Sequence, residues 1–144
     1  MAKATSIDTE LAGRLRLVVT RLGRRLRRQA GSDLTPSQIS ALSSLERLGP
    51  LTLGELSTVE GVRPPTMTKI VSALEEEGLV ARRTDPRDRR VAHVAVTSSG
   101  RRLLAQTRSQ TDAYLAARLQ DLPPDDLAAL QRAVDLLEHV LEEE

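Results

Sequence analysis

The sequence predicts a mainly α-helical chain carrying one small β-hairpin wing, on three observations. Apolar residues recur at spacings of three and four through most of its 144 residues, the period of amphipathic helices. Two short β-rich segments, Leu79 to Thr84 and Val91 to Val96, flank the turn Asp85-Pro86-Arg87-Asp88-Arg89-Arg90. Two short helices directly precede that hairpin. From Leu51 to Thr97 the order is therefore helix, turn, helix, strand pair, the layout of a winged helix-turn-helix.

The first helix is expected from about Ile7 to Ala30. Leu11, Leu15, Val18, Leu22 and Leu26 form one stripe; Arg14, Arg21, Arg24, Arg25 and Arg28 take most of the remaining surface. Gly31 is a stop. A second helix starts at Thr35 or Ser37, with Pro36 at its first position behind a capping hydroxyl. Ile39, Leu42, Leu45 and Leu48 line its apolar face, and Gly49-Pro50 ends it. Thr52, with Glu55 three residues on, is a capping box for a third helix reaching about Val59. Leu53 and Leu56 point inward.

Glu60-Gly61-Val62 forms the turn, where Gly61 supplies a positive φ. A fourth helix, Pro64 to Glu77, buries Met67, Ile70, Val71 and Leu74, and Gly78 follows as its C′ residue. In the second strand Ala92, Val94 and Val96 share one face; Val91, His93 and Ala95 share the other. Thr97 or Ser98 caps a long helix running from about Ser99 to Leu119. Pro123-Pro124 breaks it, and Asp125 and Asp126 suit the positive end of a last helix.

That last helix carries Leu127, Leu130, Val134, Leu137 and Leu141 as a heptad seam. Residues 35–96 can pack a small core alone, which leaves apolar stripes on the first, fifth and last helices. Pairing two copies across a two-fold axis buries them most simply. Leu11, Leu15 and Val18 together with the Leu127–Leu141 seam are the expected interface. The chain then forms one domain, residues 1–144: a winged-helix part over about 35–97 and helical dimerisation parts over about 7–31 and 99–144.

Composition narrows the function. Tyr114 is the only aromatic residue, so Leu, Val and Ala must build the core. With no cysteine there is no disulfide, thiolate metal site or redox thiol. No apolar run approaches the ~20 residues of a membrane helix, and the N-terminus lacks a signal-like stretch. A soluble cytoplasmic protein with no membrane association is expected. Arginine is abundant, lysine scarce and asparagine absent, the mark of a GC-rich genome; arginine content alone is no sign of nucleic-acid binding. Its distribution is more telling. Residues 1–31 set eight basic groups against Asp8 and Glu10, whereas 121–144 set eight carboxylates against Arg132. Residues 63–108 carry ten basic groups and five acidic ones, fitting a face turned toward polyanion. Solvated helix faces would also explain such runs.

On the fourth helix the face opposite Met67 and Val71 offers Arg63, Pro65, Thr66, Thr68, Lys69 and Ser72. Small and hydroxyl-bearing residues let a helix end approach a DNA groove, its free N–H groups can bind phosphate, and Lys69 and Arg63 can reach guanine or phosphate. Glu75, Glu76 and Glu77 must point away. In the turn, Arg87, Asp88, Arg89 and Arg90 form the wing. Carboxylates are ill suited to polyanion unless Asp85 and Asp88 hold guanidinium groups in fixed directions, so that less entropy is lost on binding. An arginine so held suits a narrow A·T-rich minor groove. A solvated hairpin with surface ion pairs is the plainer alternative.

Two other functions compete. His93 and His139 have no cysteine or carboxylate pair at ligand spacing, so an enzyme is not expected, nor a metal or cofactor. A winged helix used for protein or RNA contacts is the second rival. It would more often expose an apolar patch, and RNA binding would call for aromatic stacking platforms that this chain lacks.

The motifs Leu53-Gly54-Glu55-Leu56, Thr66-Met67-Thr68-Lys69-Ile70-Val71 and Leu74-Glu75-Glu76-Glu77-Gly78-Leu79-Val80 resemble the MarR family of bacterial transcription regulators. So do Arg83, the wing Asp85-Pro86-Arg87-Asp88-Arg89-Arg90, and Val96-Thr97 with Gly100 beyond. The resemblance spans essentially the whole chain and implies a dimeric winged-helix repressor or activator of double-stranded DNA targets. It implies that Arg90 enters the minor groove with Asp88 as its brace, and that Thr66, Thr68 and Lys69 lie on the recognition helix. It also implies release by small aromatic acids in a crevice between the dimerisation and DNA-binding parts. The chain lacks the cysteine of the peroxide-sensing branch and the aromatics to line an aryl pocket. A small anionic or apolar effector is therefore expected, drawn in by arginines such as Arg14 and Arg21.

Overall fold

A computed structural model describes residues 2–142, with side chains from Thr9 onward; Met1, Glu143 and Glu144, at the ends of the expected domain, lie outside the described residues. Six helices and three strands follow in order: α1 (Ala2–Gln29), α2 (Pro36–Leu48), β1 (Leu51–Thr52), α3 (Leu53–Glu60), α4 (Pro64–Glu76), β2 (Val80–Thr84), β3 (Ala92–Val96), α5 (Ser98–Leu119) and α6 (Pro124–Glu142). The mainly helical winged fold is as the sequence predicts, with one strand more. β1 joins the hairpin to give an antiparallel sheet in the order β1-β3-β2, pairing Leu51 with Val94 and Thr52 with His93.

Local chemistry sets the boundaries. Thr35 caps α2 by accepting from the Gln38 N–H at 3.2 Å, while the Gln38 side chain accepts the Thr35 N–H at 3.0 Å. Thr52 and Glu55 make the same reciprocal pair at the start of α3, at 3.1 and 3.2 Å. Gly61 and Gly78, at φ 64° and 72°, supply the left-handed residues after α3 and α4.

The core is built by Ala41, Leu42 and Leu45 of α2, Leu56 of α3, Met67, Val71 and Leu74 of α4, and Val80, Val94 and Val96 of the sheet. Leu48, expected inside, is exposed at the last residue of α2, and Ile70 is only half-buried. Nor is the core confined to residues 35–96. Leu104 of α5 is fully enclosed in it, because Gly100 lets α5 settle onto the sheet. A Cβ on Gly100 would overlap the Leu79 carbonyl oxygen and lie 2.7 Å from Val96 Cγ2.

Thr97 fastens this contact. Its hydroxyl donates to the Gly78 carbonyl at 2.7 Å and accepts the Gly100 N–H at 3.1 Å, and its own N–H donates to the Leu79 carbonyl at 3.0 Å. The end of α4, the start of β2 and the start of α5 thus meet at one threonine.

Outside this core the long helices keep bare apolar faces. Leu11, Leu15, Val18 and Leu22 of α1 are exposed, as are Leu127, Leu130, Val134 and Leu141 of α6, with Leu137 half-buried. No residue of α6 is buried within the chain. Leu11 at 62% and Leu141 at 72% exposure make a costly surface for a lone chain, since each apolar Å² left in water forfeits about 25 cal/mol.

Candidate nucleic-acid interface

Recognition begins with how α3 and α4 are held. Both oxygens of the Glu60 carboxylate accept serine hydroxyls of α2, Ser40 at 2.6 Å and Ser44 on the other side. This ties the residue before the Gly61 turn to α2, and Val62 N–H closes the turn on the Ser57 carbonyl at 3.1 Å. Arg63, in extended conformation, then leads into Pro64 and Pro65, whose fixed φ starts α4.

Arg63, Pro65, Thr66, Thr68 and Lys69 are all exposed on α4, whereas Met67 and Val71 face the core. The phosphate-binding amides expected at this helix end are few. Pro64 and Pro65 have no N–H, and that of Met67 is spent on the Arg63 carbonyl at 3.0 Å. Thr66 retains a first-turn amide. The Thr68 hydroxyl donates to the Pro64 carbonyl at 3.0 Å, leaving its lone pairs outward.

Ser72 differs from the other five residues. It is half-buried and accepts a long 3.5 Å bond from Arg82 Nη2 on β2. The same guanidinium pairs with Glu75 at 3.3 Å, so Glu75 is compensated by the wing strand rather than simply turned away. Arg82 is the neighbour of this helix face that sequence spacing misses. Ten residues separate it from Ser72, and only the packing of β2 on α4 joins them.

In the wing, Asp85 N–H donates to the Val91 carbonyl at 2.8 Å and Val91 N–H to the Asp88 carbonyl at 3.0 Å. Asp88 Oδ1 accepts both the Arg90 N–H at 3.0 Å and Arg90 Nε at 3.3 Å. The Arg90 side chain is 92% exposed, so its guanidinium is tethered at one nitrogen and otherwise open. Asp85 acts differently from expectation: it accepts the Arg87 backbone N–H at 2.8 Å and shapes the turn instead of holding a guanidinium. Arg87 and Arg89 are exposed, with no ion-pair partner among the described residues.

Between α1, α2 and α5 lies an apolar crevice of about 210 Å³, lined by Leu26, Ala30, Leu34, Ile39, Thr107 and Thr111, with Arg27 among the residues around it. Thr107 Oγ1 is buried there without a hydrogen-bond partner. Arg14 and Arg21 do not line this crevice: both are exposed on α1.

A helix pair set by a glycine turn, an exposed polar end on the second helix and a hairpin with a tethered, outstretched arginine define a winged helix-turn-helix protein. Comparison with known proteins agrees. The MarR family model matches residues 34–92. An uncharacterised HTH-type transcriptional regulator of Mycobacterium leprae is 39% identical over 137 residues, covering 94% of this chain and 96% of the relative. The crystal structure of a protein from Pseudomonas aeruginosa PA01, described as a transcriptional regulator, superposes with TM-score 0.84 at 34% identity, over 95% of this chain and 98% of that one. A MarR family protein from Bacillus stearothermophilus gives 0.77 at 29% identity, over 93% and 94%. The chain belongs to the MarR family of DNA-binding transcription regulators. Among the described residues, no helix is long and apolar enough to cross a membrane.

Proposed function

We propose that the protein is a homodimeric repressor that binds a near-palindromic double-stranded DNA operator. The observation that carries this reading is the Asp88–Arg90 brace on an exposed wing beside the polar end of α4. In this reading α4 enters the major groove and Thr66, Thr68 and Lys69 read base edges, while Arg63 and Pro65 lie against the backbone. Ser72 supports through Arg82. Arg90 enters the adjacent minor groove, with Arg87 and Arg89 on phosphates. The bare faces of α1 and α6, with Leu11, Leu15, Val18, Leu127, Leu130, Val134, Leu137 and Leu141, bury one another across the two-fold axis and set the half-sites about one helical turn apart. Such a dimer lying across a promoter excludes polymerase.

Release is assigned to a small, largely apolar ligand in the crevice between α1, α2 and α5. The unpartnered Thr107 hydroxyl supports this, because a buried polar atom without a partner gains most from a ligand that supplies one. The Arg27 guanidinium at the same crevice suits an anionic group at one end of that ligand.

Selection from a randomised duplex library, followed by titration of the selected site against salt, tests the DNA reading. Two inverted half-sites should emerge. If about 6–10 phosphates are contacted, log affinity should fall linearly and steeply with log salt. Equal affinity for all sequences, or no salt dependence, would refute it.

A further inference from the structure

Beside the apolar stripe of α1, one flank carries Arg14, Arg21, Arg25 and Arg28, spaced seven, four and three residues apart and hence stacked along a single line. Arg21, Arg25 and Arg28 lie around the exposed Val18 and Leu22 on the same open surface of α1. Beside the leucine seam of α6, Asp135, Glu138 and Glu142 are spaced three and four apart and form an acidic line as long as the Arg21-to-Arg28 part of the arginine line. All seven groups are exposed, and among the described residues none has an ion-pair partner within the chain. The ion pairs Arg82–Glu75, Arg90–Asp88 and Arg108–Glu46, found among the described residues, involve neither line.

An apolar strip edged with cations and another edged with anions, both left bare in one chain, complement each other in polarity and sign. We propose that two copies are drawn together and aligned by charge, the arginine flank of α1 receiving the acidic flank of α6 from the second copy. The inference rests on the dimer reading above and adds its electrostatic basis. Apolar burial alone tolerates sliding of one helix along another by a turn. Charges at the edges of the seam fix register, as they do in coiled coils. The assembly becomes sensitive to ionic strength even in the absence of DNA.

Two complementary variants test this, one with Arg21→Glu, Arg25→Glu and Arg28→Glu, the other with Asp135→Lys, Glu138→Lys and Glu142→Lys. Sedimentation equilibrium reads self-association, native mass spectrometry reads which copies pair, and circular dichroism checks the fold. An exposed pair contributes roughly a two-fold factor to association. The symmetry axis doubles three pairs into six, so each variant alone should self-associate about 60-fold more weakly or worse. Mixed in equal amounts they should form the heterodimer at near-parental affinity, which neither could do if it were merely misfolded. The parent dimer should loosen as sodium chloride rises from about 0.05 M to about 0.5 M, the range over which exposed charges become screened. If both triple variants unfold, the milder Arg25→Gln with Arg28→Gln must still weaken the dimer at low salt.

Variants that dimerise like the parent, or a parent dimer indifferent to salt, would overturn the inference and leave the dimer reading intact. An arginine variant that keeps its dimer but loses affinity for every DNA sequence would assign this flank to the DNA backbone instead, also overturning it. A parent that is monomeric throughout would remove both.

Discussion

Replacing Asp88 with alanine separates preorganisation from simple charge. The carboxylate makes two contacts, to the Arg90 N–H at 3.0 Å and to Nε at 3.3 Å, around a side chain that is 92% exposed. An exposed pair contributes about 0–1 kcal/mol to folding, so the protein should remain folded with only a small fall in Tm. Binding is affected more. A freed arginine must be ordered when it enters the groove, at about 0.5–1.5 kcal/mol per side chain. Two wings per dimer bring this to about 1–3 kcal/mol, a loss of roughly 5- to 150-fold in affinity.

Against this stands the removal of two negative charges from beside phosphate. At about 9 Å and physiological salt that gain is near 0.2 kcal/mol per wing after screening. Lost order should therefore outweigh gained charge. Asp88→Asn keeps an acceptor for the Arg90 N–H and should fall between the two. Fluorescence anisotropy on the selected operator at fixed salt measures the affinities, and a randomised-site library measures preference. An Asp88→Ala protein that binds more tightly than the parent, with unchanged preference, would show that the carboxylate is only a repulsive surface charge.

The helix and the wing should fail differently. Lys69→Ala or Thr66→Ala is expected to change base preference near the half-site centres by about 1–3 kcal/mol, whereas Arg90→Ala should weaken binding broadly and relax only A·T preference at the flanks. Binding profiles over the same library compare them. Gly100→Val should lower Tm sharply, because the side chain would strike the Leu79 carbonyl and Val96; thermal denaturation showing parental stability would contradict the packing described. Thr107→Val removes a buried hydroxyl that lacks a partner at almost unchanged shape, so stability should hold or rise by about 1 kcal/mol, and a loss in urea denaturation would reveal a partner.

Much of this architecture was legible in the sequence because the signals were local. The capping box at Thr52, the glycines after α3 and α4 and the heptad of α6 each depend on residues within a turn or two, and period and spacing reveal them. Strand β1 did not reveal itself. Its two residues cannot show alternation, Thr52 also caps α3, and its partners Val94 and His93 lie some forty positions away. The Arg82 bridge to Ser72 and Glu75 and the enclosure of Leu104 depend likewise on how separate elements pack. Asp85 was read for its charge, whereas turn geometry put its oxygen on a backbone amide. The apolar stripes of α1 and α6 were visible from periodicity, but periodicity cannot say what covers them.

The threonine joint at the base of α5 has a mechanical consequence. Because Thr97 joins the Gly78 carbonyl just after α4 to the first turn of α5, movement of one helix is expected to carry the other with it. With 22 residues, α5 is an arm about 33 Å long. Held at its far end, a tilt of that arm by about 5° displaces its base, and α4 joined there, by about 3 Å, close to the ~3.4 Å rise of one base pair. In the release proposed above, an effector need not reach the DNA surface or unfold anything. A wedge under the arm, small enough for a crevice of about 210 Å³, would carry the reading heads out of step with the groove by nearly one rung.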